Sequence, residues 1–241
     1  MSKYSNPEYW EERYRSSDTI FDWFLTYDNL KPIIQPLLQP ADQIRVLIVG
    51  CGNSRLSACL YEHLGIKNIT NVDISPTVIG QMQRRYAEMD KMQWICLDLL
   101  TTPIDKLIQD LCPNKELFDF VIDKGLVDCI LGGGNSFHNV HIFNQNISNL
   151  LKKGGSYIAV SYGSPETRID HFRRKKLFFE VEHRSIEKPM FCSPDTSPTG
   201  HYHVYIMVKK EEKMQQQSLE GGLQDDDSDE DDFYDRFMSR K

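Results

Sequence analysis

Five residue groups could do chemistry, and their order along the chain matters as much as their types. Gly50-Cys51-Gly52-Asn53-Ser54 follows an apolar run ending at Val49. Glycines there let the backbone approach a ligand closely, and the N-terminus of a following helix favours an anion or carboxylate. The third glycine of a dinucleotide fingerprint would fall at Arg55, so a pyrophosphate is disfavoured. Asp73 comes 23 residues after Gly50, where a carboxylate can accept hydrogen bonds from both hydroxyls of a ribose. Asp98 can accept from an exocyclic amine, with the Leu99 amide donating to a ring nitrogen. Lys124, in Asp123-Lys124-Gly125, can meet a carboxylate, and Asp128 lies one turn further on. Each group also has a structural explanation: a tight turn for the glycines, a cap for Asp73, a helix start for Asp98 and Asp128, and a solvated side chain for Lys124.

The elements between these groups give them a common place. Ile44–Val49 reads as a buried strand, and a helix over Arg55–Leu64 closes at Gly65. Asn68–Val72 is a second strand. Ser75-Pro76 supplies an N-cap and first-turn proline for a helix running to about Met89. Met92–Cys96 and Phe118–Ile122 are a third and fourth strand, with a helix over 101–111 between them. A helix over His138–Leu151 stops at Lys152-Lys153-Gly154-Gly155, and Tyr157–Val160 is a fifth strand. Strands alternating with helices predict parallel crossovers. Phe178–His183 and His201–Val208 have no helix between them and predict an antiparallel excursion at one edge. The fold class is therefore α/β, a Rossmann-like doubly wound, mostly parallel sheet with an antiparallel C-terminal edge strand. Ligands of such sheets bind outside the carboxyl ends of the strands, where every group named above falls. Glycine turn, ribose acid, adenine acid and fourth-strand cation, in that order, describe an adenosine that carries an amino acid, which is S-adenosylmethionine.

Composition sets outer limits. The chain has 241 residues, 28 Lys and Arg against 35 Asp and Glu, and a net charge of −7. From Lys209 onward there are 11 acids and 6 bases, so the acidity is concentrated in the tail and residues 1–208 are nearly neutral. A nucleic-acid binder would need a basic excess, so no nucleic-acid partner is expected. No apolar run approaches the ~18 residues of a membrane span, and the amino terminus lacks an apolar signal core. The six cysteines form no Cys-x-x-Cys pair and no zinc-spaced Cys/His cluster. A cytoplasmic location, no membrane contact and no metal are the expectations. Residues 1–40 are rich in aromatics and proline, 41–208 carry the alternating pattern, and 209–241 read as a disordered acidic tail.

Taken together, the Gly-Cys-Gly-Asn-Ser turn, Asp73, Asp98, Phe118–Gly125 and the C-terminal strand pair resemble the class I (seven-strand) methyltransferases. Glu8-Tyr9-Trp10-Glu11-Glu12-Arg13-Tyr14, Phe21-Asp22-Trp23-Phe24 and Asp-Lys-Gly-Leu-Val-Asp resemble the protein-lysine methyltransferases that modify translation elongation factor 1-alpha. The resemblance covers roughly 6–208. It implies an S-adenosylmethionine-dependent protein-lysine N-methyltransferase whose N-terminal extension covers the cofactor, with elongation factor 1-alpha as the protein substrate. Carried over by position, it implies cofactor contacts at Trp10, Tyr14, Trp23, Gly50, Asp73 with Ile74, Asp98 with Leu99, and Lys124. It assigns no catalytic residue; Tyr162, after the fifth strand, and Asp128 are the candidates to orient an acceptor amine. Sequence similarity falls off after the fifth strand, in the 189–200 loop and in the tail, so a different protein or a small-molecule acceptor is an alternative. An NAD-dependent oxidoreductase shares the first two motifs, and a cofactor-binding partner protein without turnover is a further reading. Nothing in the sequence bears on the oligomeric state.

Overall fold

Strand β1 (Arg45–Val49) sends Val46 and Ile48 to one core and Leu47 and Val49 to another, and the rest of the fold is arranged on its two sides. A strand buried on both faces reads as a continuous apolar run, which is what Val-Leu-Ile-Val supplies. The structure, a computed structural model, describes residues 2–189 and 200–210. Residues 211–241, nearly all of the segment read as a tail, and most of the 189–200 loop lie outside the described residues.

Seven strands form one sheet in the order β3-β2-β1-β4-β5-β7-β6. Their ranges are β2 Asn68–Asp73, β3 Gln93–Cys96, β4 Phe118–Lys124, β5 Leu151–Ser161, β6 Phe179–Glu187 and β7 His201–Lys209. The strands from β3 through to β5 pair in parallel, whereas β7 runs antiparallel to both β5 and β6. The sheet is mostly parallel with an antiparallel edge, as the missing helix between the last two strands predicted. Strand order reverses between β1 and β4, and at such a switch point two strand ends diverge and leave a crevice.

Helices α1 (Pro7–Ser16), α2 (Tyr27–Ile34), α3 (Leu56–His63), α4 (Pro76–Arg85), α5 (Ile104–Leu111), α6 (Leu126–Leu131), α7 (Ser136–Leu150) and α8 (Pro165–Phe172) cover the sheet. Leu30 and Ile34 of α2, Leu56 and Leu60 of α3, and Val78 and Met82 of α4 pack with Val46 and Ile48. Leu107 of α5, Val127 of α6, Phe143 and Ile147 of α7, and Phe172 of α8 pack on the opposite face. Each fully buried aliphatic or aromatic side chain contributes about 1.5–3 kcal/mol, so the two cores fix the sheet and hence the relative heights of its strand ends. No helix among the described residues is long and apolar enough to cross a membrane.

Several boundaries differ from the sequence expectation, each for a local reason. The helix expected to reach Met89 ends at Arg85, and Tyr86 stacks on Trp94 with ring centroids 6.1 Å apart. The helix expected over 101–111 starts at Ile104, directly after Pro103. Leu151, placed at the end of a helix, already begins β5 opposite Phe118. The next registered pair is Phe120 with Ser156, so Lys152–Gly155 bulge out, with Gly154 at φ 75°. Lys209, placed in the tail, is the last residue of β7 and pairs with Phe179. Helix α8 went unread although Ser164-Pro165 repeats the Ser75-Pro76 start signal.

Candidate functional site

At the β1–α3 turn Gly50 and Gly52 take φ values of 57° and 51°, a left-handed conformation that costs glycine little. A Cβ on Gly52 would lie 2.8 Å from the Tyr14 hydroxyl, so a side chain there would displace the tyrosine. A Cβ on Gly50 would meet that of Leu126 at 3.0 Å. The Asp73 carboxylate stands beside this turn, buried at the end of β2. It accepts from the Gly52 amide at 2.9 Å and, through its other oxygen, from the Ser75 amide at 3.0 Å. Burial pushes its pKa up, opposed by those two amides. Its backbone carbonyl accepts from the Leu97 amide, which ties the ends of β2 and β3. Ile74 follows half-buried, and its carbonyl receives the Cys96 thiol at 3.5 Å.

Asp98 sits just past β3, where its oxygens accept from the Leu100 amide at 2.8 Å and the Thr101 hydroxyl at 2.7 Å. The carboxylate therefore caps a turn. Leu99 is buried in the core, and its carbonyl accepts from the Asn146 side-chain amide at 2.8 Å.

The aromatic N-terminal residues lie over these strand ends. Trp10 stacks on Tyr14 at 6.1 Å and meets Trp23 edge-on at 5.7 Å. Tyr4, Tyr9 and Phe21 extend the cluster. Burial pushes the Tyr14 phenol up, with the nearby Asp73 adding to the shift, so it stays a neutral donor. Lys124, at the end of β4, donates to the Trp23 carbonyl at 3.0 Å and pairs with Asp22 at 3.2 Å. Asn53 donates to the Thr19 carbonyl at 2.6 Å, and the Ser54 hydroxyl donates to Asp22. Glu11, on α1, accepts from the Ser75 and Thr77 hydroxyls at 2.5 Å each, and these bonds hold its pKa down.

The structure thus brings Trp10, Tyr14, Trp23, Gly50, Asp73 and Lys124 to one end of the sheet, with Asp98 and Leu99 beside them at β3. The orienting candidates stand on its β5 side. Asp128 is buried: one oxygen accepts from the Ser161 hydroxyl at 2.5 Å and from Arg168 at 2.9 Å, and the other from the Tyr162 amide at 3.0 Å. That geometry makes Asp128 a tie between α6, β5 and α8. Tyr162 is 56% exposed, with its ring 6.1 Å from Phe24.

Sequence reasoning missed the roles of Glu11, Asp22, Asp123 and Arg168. Glu11 and Asp22 lie within the aromatic segments that carried the resemblance, but nothing in the sequence said what they would touch. Asp123 is fully buried and receives the Leu126 and Val127 amides at 2.6 and 3.0 Å and the Tyr157 hydroxyl at 3.0 Å. Burial raises its pKa from 3.8 to about 7. An acid placed after a buried strand and before Gly125 was the available signal.

The family model for the methyltransferase domain matches residues 40–218. The chain belongs to the class I methyltransferases. The dehydrogenase alternative falls with this membership. Mouse EEF1A lysine methyltransferase 4 is 30% identical over 217 residues, which are 86% of this chain and 76% of the mouse protein. The eEF1A lysine and N-terminal methyltransferase of Xenopus laevis is 32% identical over 177 residues, covering 70% of this chain and 24% of that longer protein. Among solved structures, the N-methyltransferase NodS from Bradyrhizobium japonicum WM9, in complex with S-adenosyl-L-homocysteine, superposes with a TM-score of 0.58. It is 15% identical and covers 84% of this chain and 99% of that one. At that identity the likeness concerns the fold alone.

Proposed function

We propose that this methyltransferase moves a methyl group from S-adenosylmethionine to the ε-amine of a lysine in a protein, with translation elongation factor 1-alpha as the substrate. The observation that carries the reading is the convergence of the Gly50–Gly52 turn, the buried Asp73 carboxylate and the Trp10–Tyr14–Trp23 cluster at the strand ends where the sheet order reverses. These residues fit the ligand chemically. A carboxylate has about four acceptor positions, so Asp73 keeps capacity for a ribose hydroxyl beyond its backbone amides. The left-handed glycines offer backbone that an amino-acid moiety can approach, and Asp98 with Leu99 supplies the adenine edge. Lys124 contributes by holding Asp22 and the Trp23 carbonyl over the crevice.

S-adenosylmethionine supplies an electrophilic methyl group on a sulfonium sulfur. The chain holds donor and acceptor in line, and most of the barrier reduction comes from that alignment. With the cofactor held by the Gly50–Gly52 turn, Asp73 and Asp98, a deprotonated lysine amine would accept its methyl group and sulfur would keep the electron pair of the carbon–sulfur bond. Partial burial among aromatics and the nearby sulfonium charge both lower a lysine pKa, so no dedicated base is required. Aromatic faces also attract the methylated cation that forms. The names of the mouse and Xenopus relatives support lysine of eEF1A as the acceptor, and that substrate fits a cytoplasmic enzyme. The acidic residues beyond β7 serve to solubilise the protein in this reading.

The test is incubation of the purified protein with radiolabelled S-adenosylmethionine and a cell lysate, followed by mass spectrometry of labelled bands. A band that proves to be elongation factor 1-alpha methylated on lysine is expected. A different labelled protein would overturn the substrate and keep the chemistry. Absence of label despite cofactor binding would point to a small-molecule acceptor or a partner without turnover.

A further inference from the structure

Phe24 has a backbone φ of 63°, an uncommon conformation for an aromatic residue. Such strain persists only where surrounding contacts over-determine it, and it gathers at functional sites. Here the contacts are visible. The Phe24 ring lies 3.0 Å from the position a Cβ would take on Gly125, at the end of β4. It packs on Tyr202 of β7 with centroids 5.0 Å apart and meets Tyr162 at 6.1 Å with planes at 63°. Tyr162 is itself held in place. Its amide donates to the buried Asp128, and the Arg168 guanidinium lies 5.4 Å from its ring centroid. Yet the side chain is 56% exposed, the large apolar group least covered among those described.

The position of this pair is informative. Asp73 and Asp98 mark the β2–β3 flank of the crevice, and the glycine turn marks its centre. Phe24 and Tyr162 stand on the opposite flank, at the carboxyl ends of β4 and β5. With the nucleoside on the β2–β3 side, the β4–β5 side is where an acceptor must enter. We infer that Phe24 and Tyr162 form the wall against which the acceptor side chain lies, an aromatic surface selective for an alkyl-ammonium chain. Tyr162 supplies the open face, and the strained Phe24 backbone sets the angle of the wall. This assignment rests on the methyl-transfer reading.

The test uses binding, so it does not depend on knowing the acceptor protein. Calorimetry would compare S-adenosylhomocysteine with an aza-analogue of S-adenosylmethionine that carries an aminobutyl arm, for the full chain and for Tyr162→Ala and Tyr162→Phe. The arm should strengthen binding to the wild-type chain. In Tyr162→Ala that advantage should fall about tenfold, in line with a cation–π contact. In Tyr162→Phe it should stay within about twofold, and all three proteins should bind S-adenosylhomocysteine equally. An unchanged advantage in Tyr162→Ala overturns the inference. So does a wild-type chain that binds S-adenosylhomocysteine but gains nothing from the arm, and this leaves the cofactor assignment standing. Failure to bind S-adenosylhomocysteine removes the methyl-transfer reading and the inference with it.

Discussion

The sheet and the N-terminal strap (residues 2–26) both carry carboxylates near the strand ends, but they fix them by different means. On the sheet, Asp73 is held by the amides of Gly52 and Ser75, and Asp123 by the amides of Leu126 and Val127. These are backbone contacts at strand-to-helix corners, local except for the Gly52 amide, which reaches Asp73 from the neighbouring corner 21 residues away, so folding the sheet core forms them. On the strap, Glu11 reaches Ser75 and Thr77, and Asp22 reaches Ser54 and Lys124, all side chain to side chain across long stretches of sequence. The sheet anchors form with the corners themselves, whereas the strap depends on contacts made across the sequence, these polar pairs together with the buried Tyr14 and Leu25.

Variants at each anchor separate the halves. Asp73→Ala should have the largest effect. It strands two buried amides, each costing about 1–3 kcal/mol, and removes the proposed ribose acceptor. Urea unfolding should show a loss of roughly 3–5 kcal/mol, and calorimetry should show S-adenosylhomocysteine binding at least about tenfold weaker. Lys124→Met leaves the half-buried Asp22 carboxylate without its cation, with the Ser54 hydroxyl still donating to it. It should cost about 2–3 kcal/mol, with part regained in the Lys124→Met, Asp22→Asn double variant. Equal losses in the single and double variants would mean that the pair does not couple strap to sheet.

A pH profile distinguishes the sheet anchor from the strap anchor. The Asp123 pKa is raised from 3.8 in the unfolded chain to about 7 in the folded one. Between those values the folded state holds a proton that the unfolded state has lost. The Asp123 contribution to stability therefore falls as pH rises through that window, with a slope of at most about 1.4 kcal/mol per pH unit. Glu11 has the opposite sign, since its pKa is lowered on folding and its contribution is lost on acidification. Unfolding curves of the wild-type chain minus those of Asp123→Asn should show the downward slope, and a flat difference would show that Asp123 is not buried as described. The smallest effect belongs to Asp18, whose pair with Arg85 is 3.8 Å long with the carboxylate 76% exposed. Asp18→Asn should change stability by less than about 0.5 kcal/mol.

The two halves also differed in how far they could be read from sequence. A continuous apolar run ending at Gly50 located β1, because burial on both faces leaves that signature, while β2 (Asn-Ile-Thr-Asn-Val) and β4 (Phe-Asp-Phe-Val-Ile) are mixed runs that end at Asp73 and Asp123. Ser75-Pro76 located α4 because capping chemistry is local. The antiparallel edge followed from a missing helix. The strap was legible only as a cluster of aromatics whose contacts depend on tertiary placement. Lys124 shows the limit: its position after the fourth strand was readable, but not its bond to the Trp23 carbonyl 101 residues away. Asp128 shows the converse. A residue suited to orienting a substrate is instead bound by Arg168, Ser161 and the Tyr162 amide, partners set by α8 and β5.

Hydrogen exchange with and without S-adenosylhomocysteine tests directly whether both halves enclose the cofactor. Binding should slow exchange at Gly50–Asn53 and Asp73–Ser75, and also across strap residues 7–26, with the larger change in the strap because its contacts open more readily in the free protein. Protection confined to the sheet, with strap exchange unchanged, would mean that the aromatic N-terminal segment only packs on the fold and does not close over the ligand.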